Sequence, residues 1–400
     1  MDQVKYHHLS DVAWREEYFI ARPLSSGWPG AFRKPALSIS DSRLVVTSRN
    51  LVDYYTFHTP QIPTQSPQIR KEATLELGDN GTKTNVITSI APAHDQDGAE
   101  FYIGLASGII SRISTNGSGT LQPPTSIKFT QPEDSVLALS SKVNALLGVS
   151  QNGIATVSAA GSVETLDLKT RAWTCHLSQN HAAFGLTSKI PLVVHSIRPS
   201  GISTHPAHIL DSTSQDTHSK SAVFGICRTP PSATWGSDQV IVSGWYNGSV
   251  NIHDLRTSIC PRDLSSPASA PHLLPVLTFT EPSLDPIYCV ATGGGSSNYV
   301  AAGLARHGMV AFWDIRGHRS SGWSVYAPGN DRSPVYSVVL ESSRLFGVTQ
   351  TRPFVYDFGQ GVIEDTHPSF RPSRAEIRAL KKQEGGPGYY VTTWRHSQLA

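Results

Sequence analysis

Apolar residues along this chain come in short runs, and the runs come in pairs around tight polar turns. Residues 239–255 read QVIVSGWYNGSVNIHDL: two apolar runs flank Tyr246-Asn247-Gly248. Asn-Gly between alternating apolar runs predicts a β-hairpin, because both residues tolerate positive φ. The same shape recurs at 299–315, turning at Arg306-His307-Gly308, and at 344–358. Earlier copies lie at 43–57, 101–113, 145–157 and 183–197. These seven hairpins are spaced roughly 40–60 residues apart, close to the repeat of four-stranded propeller blades.

Each hairpin follows another apolar run, at 35–39, 86–90, 136–139, 172–177, 222–227, 287–291 and 335–340. These runs read as the innermost strands of the blades. One blade cannot bury both faces, whereas a ring of blades gives a continuous core with short, protected edges. The predicted fold is therefore all-β: a seven-bladed propeller over 35–360, with an N-terminal helical segment over 1–34 and a tail over 361–400.

Three of the predicted third strands end in Trp313-Asp314, His253-Asp254 and Tyr356-Asp357. These endings resemble the WD-repeat signature, in which this dipeptide closes the strand. Only one copy is a literal Trp-Asp, and the Gly-His that usually opens a WD blade is missing. The resemblance covers about residues 35–360 and is strongest at blades five and six. It implies that the aspartates orient turns through hydrogen bonds rather than perform catalysis.

Composition narrows the functional classes. The 33 basic and 31 acidic residues leave a formal charge of +2, too small to imply nucleic acid or an anionic membrane surface as partner. No apolar run is long enough to span a bilayer and no secretory leader is apparent, so the expected location is cytoplasmic or nuclear. Sequons at Asn80, Asn116 and Asn247 are then expected to stay unmodified. Cys175, Cys227, Cys260 and Cys289 show no CxxC spacing, which argues against a zinc site or redox pair. The first, second and fourth sit in apolar runs and read as small core residues.

Before the repeats, residues 9–20 (LSDVAWREEYFI) read as a short helix capped by Ser10 or Asp11, with Glu16 and Glu17 near its positive end. Trp14 and Tyr18, with Val12 or Leu9, lie on one side, and one reading is a helix packed against the propeller. Asp11, Trp14, Arg15 and Glu16, followed by Trp28 and then a propeller, resemble the end of an F-box joined to a WD-repeat domain. The upstream helices of a complete F-box would lie before Met1. The resemblance implies substrate recognition within a cullin ubiquitin ligase, reached through a Skp-type adaptor, with Trp14, Arg15 and Tyr18 as candidates on the adaptor side. The alternative is a WD-repeat scaffold for some other complex.

Residues 59–71, 198–220 and 256–275 read as long loops. In the tail, 373–382 (SRAEIRALKK) predicts a basic helix. Gly385-Gly386-Pro387-Gly388 ends it, and 389–394 (YYVTTW) reads as a strand. That strand, or one from 32–39, is expected to close the ring.

No catalytic constellation emerges, so the chain is read as a non-enzyme without a cofactor or metal. Gly104–Gly108 places its serine one position late for a nucleophile elbow, and Gly293-Gly294-Gly295 precedes a strand rather than a phosphate-cradling helix. His253 and His195 read as structural. The seven hairpin turns should share one face of the disc, and none of them contains an acid. They offer Arg49, Lys189, Arg306, His307 and Arg352, with Trp245 and Tyr246 beside them. Arginine forks suit carboxylates and phosphates, which predicts a protein partner presenting an acidic or phosphorylated peptide. The competing reading is that exposed turns simply favour polar and basic residues.

Overall fold

A computed structural model describes residues 2–28, 34–40, 43–59, 65–78, 85–93, 99–115, 121–128, 134–159, 162–198, 201–212, 221–257, 270–317 and 322–396. Cys260 and the sequons at Asn80 and Asn116 lie outside them. The chain is an all-β propeller. Its strands pair in successive antiparallel sets of four, from Ala36–Ile39, Arg43–Ser48, Leu51–His58 and Gln68–Glu76 in the first to Val335–Leu340, Arg344–Thr349, Pro353–Asp357 and Ile20–Pro23 in the last. The innermost strands of these sets lie side by side around the ring, and Val335–Leu340 returns to meet Ala36–Ile39. The apolar core is correspondingly divided. One cluster joins Val45, Tyr54, Phe101 and Ile103 between blades one and two, and others fill the remaining gaps between blades. The second and third strands are buried on both faces, as at Tyr299–Leu304, because each blade is covered by two neighbours.

Ring closure differs from expectation. Ile20–Pro23 pairs with Pro353–Asp357 as the outermost strand of blade seven. Ala36–Ile39 instead opens blade one, and Thr393–Arg395 adds a fifth strand to blade six. The N-terminal segment therefore belongs partly to the ring. The expected loops also contain strands: Gln68–Glu76 starts inside 59–71, His208–Leu210 lies inside 198–220, and His272–Leu273 lies inside 256–275. The last two pair in parallel, so His272–Leu273 extends the outer edge of blade four.

The N-terminal helix, α1, spans Asp2–Arg15, longer and earlier than predicted. Ser10 is buried within it, so neither Ser10 nor Asp11 caps its start. It ends in a Schellman turn: Tyr18 N–H donates to Ala13 O at 2.9 Å and Glu17 N–H to Trp14 O at 3.3 Å, with Glu17 at φ 57°. Glu16 and Glu17 thus follow the helix's C-terminal end. Trp14 is fully buried. Its ring stacks on Phe358 with centroids 3.6 Å apart and on Tyr299 at 4.8 Å, and its Nε1 donates to Ser342 O at 3.0 Å. The Gly293–Gly295 run makes room for it: a Cβ on Gly294 would stand 2.8 Å from the indole. Trp14 is therefore a core residue, which removes it from the adaptor-side candidates, while Arg15 and Tyr18 remain exposed. The loops that receive α1 join first to second strands, so the helix lies on the face opposite the hairpin turns.

In the tail, α2 covers only Arg374–Ala379 and is capped by Ser373 through a reciprocal box with Glu376.

Candidate functional site

The central channel is shaped by one repeated backbone irregularity. In six of the innermost strands the pairing slips by one residue near the start, leaving Thr88, Leu137, Trp173, Phe224, Tyr288 and Tyr336 as the bulged residues. A β-bulge re-aims its side chain. All six line a cavity of about 180 Å³ at the channel mouth, together with Leu37 of blade one. Each second strand ends beside the start of the first, as Trp245 opposite Val223 and Thr349 opposite Val335 show. The mouth and the hairpin turns therefore share a face.

Four consecutive blades contribute aromatic rings to this mouth. Phe224 meets Trp173 edge-on at 5.1 Å and Tyr288 at 5.4 Å; Tyr288 stacks on Tyr336 at 5.7 Å. Tyr246 extends the arc from its turn, 6.2 Å from Phe224. Trp173 Nε1 donates to Thr187 Oγ1 at 2.5 Å, which holds the indole in place. Burial, reinforced by the neighbouring Tyr288 phenol, raises the pKa of Tyr336 and keeps its ring neutral.

Lys34, just before blade one, reaches across the mouth. Its Nζ stands 4.7 Å from the Trp173 ring centre and 5.6 Å from that of Tyr288. The Arg171 guanidinium lies 3.8 Å from the same indole. Lys34 as a whole stays exposed, but partial enclosure of its ammonium end by the channel wall, reinforced by the Arg171 charge, pushes it down to about 8. Among the described residues no carboxylate is ion-paired with it.

The residues expected to form an arginine set have separate fates. Tyr246 is half-exposed and joins the aromatic arc, but Trp245 is buried and donates to Ser243 Oγ at 2.9 Å, so it is a core residue. Arg352 is largely covered: its Nη1 lies 3.0 Å from Glu376 Oε1, which also accepts from Gly27 N–H at 2.7 Å. The tail thus covers this turn and takes its cation. Arg306 and His307 are exposed, but both backbone amides and the His307 ring contact the buried carboxylate of Asp285. Asp331 plays the same part for blade seven, accepting from Thr349 Oγ1 at 2.8 Å. These aspartates precede their blades, outside the turns in which acids are absent. Arg49 is exposed with φ 58°, and Lys189 is exposed. The face is basic at several turns, and two of its cations, Arg352 and Arg306, already face the carboxylates of Glu376 and Asp285.

The strand-closing aspartates fix turns. Asp254 accepts from Arg256 N–H, Asp314 from Arg316 N–H and Asp357 from Gly359 N–H, each at 2.9 Å. Asp357 also pairs with Arg344 at 2.8 Å and lies 3.1 Å from His367. Burial raises its pKa, but Arg344 and His367 more than offset this and hold it well below the usual carboxylate range. His253 and His195 bond the carbonyls of Asp211 and Ser203, each at 2.8 Å. The Cys227 and Cys289 thiols are pushed up to about 12, chiefly by burial, and Cys175 is raised further. All three are unreactive as nucleophiles at neutral pH. Among the described residues no three His, Cys, Asp or Glu side chains are grouped to hold a metal ion, and no helix is long and apolar enough to cross a membrane.

Sequence reasoning missed the aromatic arc and Lys34. The signal was present: Ala172-Trp173-Thr174, Val223-Phe224-Gly225, Ile287-Tyr288-Cys289 and Val335-Tyr336-Ser337 repeat an aliphatic–aromatic–small triplet.

No family model and no curated protein matches the sequence. Solved structures match its fold. The WD40 β-propeller domain of Doa1 is similar over 84% of this chain and 96% of that one, at 13% identity and a TM-score of 0.55. Raptor of Chaetomium thermophilum is similar over 86% of this chain, at 12% identity and a TM-score of 0.57; the match spans 30% of that chain. At these identities the likeness is one of fold, and the fold is a WD40-type propeller.

Proposed function

We propose that this chain is a non-catalytic protein-binding propeller that captures a segment of a partner on the face bearing the channel mouth. The observation that carries this reading is the arc of Trp173, Phe224, Tyr288 and Tyr336. Four blades independently bulge to turn an aromatic ring toward one small, open cavity. Solvent-reaching aromatic rings on a rigid scaffold suit binding anchors, because they offer large contact area at low conformational cost. The exposed Arg49 and Lys189 on the rim suit acidic or phosphorylated residues of the same segment.

The test is affinity capture of the tagged chain from its own cells, comparing wild type with Tyr288→Ala/Tyr336→Ala and with Arg316→Ala on the opposite face. Partners retained by wild type and by Arg316→Ala should be lost by the double variant, with thermal unfolding little changed. Identical partner sets for all three would overturn the reading.

Substrate recognition in a cullin ubiquitin ligase is the finer reading. It is supported by the F-box-like residues of 11–16 and by the docking of α1 opposite the channel mouth, which leaves Arg15 and Tyr18 exposed there. Recovery of a Skp-type adaptor and a cullin in the same capture, lost in Arg15→Glu/Tyr18→Ala but kept in Tyr288→Ala/Tyr336→Ala, would support it. Their absence would leave a scaffold for another complex.

A further inference from the structure

We propose that the channel mouth is an aromatic cage for the alkylated ammonium of a partner's methylated lysine, and that Lys34 occupies this cage as an internal stand-in. The proposal rests on the protein-binding reading above and names the ligand class for its central cavity.

Lys34 shows what the cavity accepts. An ammonium on a flexible four-carbon stem lies against the rings of Trp173 and Tyr288, within the distance at which a ring face attracts a cation. Phe224 and Tyr336 complete the wall beside these two rings. The mouth is about 180 Å³, below the roughly 300–1,000 Å³ of small-molecule sites, so it suits one side-chain end and not a cofactor.

Lys34 is also a replaceable guest. A primary ammonium is strongly hydrated, and its donors find no carboxylate here among the described residues. Arg171, on the same indole, repels it. A trimethylammonium presents no N–H groups that need partners and spreads its charge over methyl groups that pack on ring faces. Arg171 repels that charge too, but it is positioned to meet an acidic residue next to the methylated lysine. Lys34 would leave as the partner's lysine enters, so the internal residue weakens every external ligand by competition.

The probe is a short acetylated peptide with one trimethyllysine flanked by alanines. It is titrated calorimetrically into the full chain beside its unmethylated form and a neutral isostere in which carbon replaces the charged nitrogen. Lys34→Ala should bind the trimethyl peptide at least about tenfold more tightly than wild type and prefer it to both controls. Adding Tyr288→Ala should abolish that gain. Lys34→Ala with Tyr336→Leu provides a second cage variant should the first lose its cooperative unfolding. No gain in Lys34→Ala, or equal binding of the neutral isostere, would overturn the proposal. If the gain is absent while Tyr288→Ala/Tyr336→Ala still loses partners, the cage falls and the binding platform stands. If Lys34→Ala gains ammonium affinity while that double variant keeps every partner, the cage stands and the platform falls.

Discussion

Replacing Trp14 with alanine tests whether α1 is part of what closes the ring. The indole is fully buried, stacked on Phe358 and Tyr299, and its Nε1 bonds Ser342 O. A tryptophan buries about 200 Å² of surface, which at about 25 cal/mol per Å² is worth ~5 kcal/mol. Alanine retains part of that area, and measured Trp→Ala losses in cores run at about 3–5 kcal/mol. The loss here should sit near the middle, at ~4 kcal/mol, with roughly 1 kcal/mol of it from the deserted Ser342 carbonyl. Just beyond α1, Ile20–Pro23 supplies the closing strand, so the loss should fall on ring closure. Equilibrium urea unfolding measures it. Tyr18→Ala is the control, because Tyr18 is 66% exposed and should change stability by under about 0.5 kcal/mol. A Trp14→Ala protein within about 1 kcal/mol of wild type would refute the idea that α1 clamps blades six and seven.

Other consequences can be checked separately. Arg352→Ala should free the tail at Glu376, costing ~2 kcal/mol, between an exposed and a fully buried pair, and speeding proteolysis around 374–380; Arg306→Ala, 64% exposed at its side chain, should do neither. Gly308→Ala should cost about 3 kcal/mol in thermal unfolding: its φ is +63° and the new Cβ would meet Asp331 O at 1.9 Å. Gly385→Ala at φ +68°, with nothing within 4 Å, should cost only about 1 kcal/mol. His253 is buried neutral, and burial lowers its pKa to about 4. The unfolded chain then binds its proton more readily, so this contribution is complete above about pH 6.5 and is lost as pH falls toward 4, reaching ~3 kcal/mol. His181 and His396 act in the same direction. His253→Gln should therefore flatten the fall in stability between pH 6.5 and 4, as read by denaturant unfolding at several pH values.

The hairpins were legible because both of their determinants are local. Residues 299–315 encode two short apolar runs and the turn chemistry between them, and the strands Tyr299–Leu304 and Met309–Asp314 follow. The outer strands were not, because an edge strand such as Ser162–Asp167 is mostly exposed and carries little apolar signal. Closure by Ile20–Pro23 pairs residues more than 330 positions apart, which no local pattern encodes. For Trp14 the sequence left packing against the propeller and an adaptor contact both open, because the stacking partners that decide between them come from distant segments. The aromatic arc escaped for a subtler reason. A bulge is a slip between two strands, and without it Trp173 or Tyr288 is merely one apolar residue in an apolar run. The turn arginines were placed on the right face, but the buried Asp285 and the tail's Glu376 that engage two of them lie outside the turns.

The most direct measurement of the central claim is site-specific photo-crosslinking in cells. A photoreactive residue replaces Tyr246 beside the channel mouth or, in a second protein, Tyr18 on the opposite face; both positions are more than half exposed. The Tyr246 site should capture a discrete partner, and adding Tyr288→Ala/Tyr336→Ala should abolish the adduct. Adducts at the Tyr246 site that survive the loss of both rings, or partner adducts formed only from the Tyr18 face, would contradict the claim.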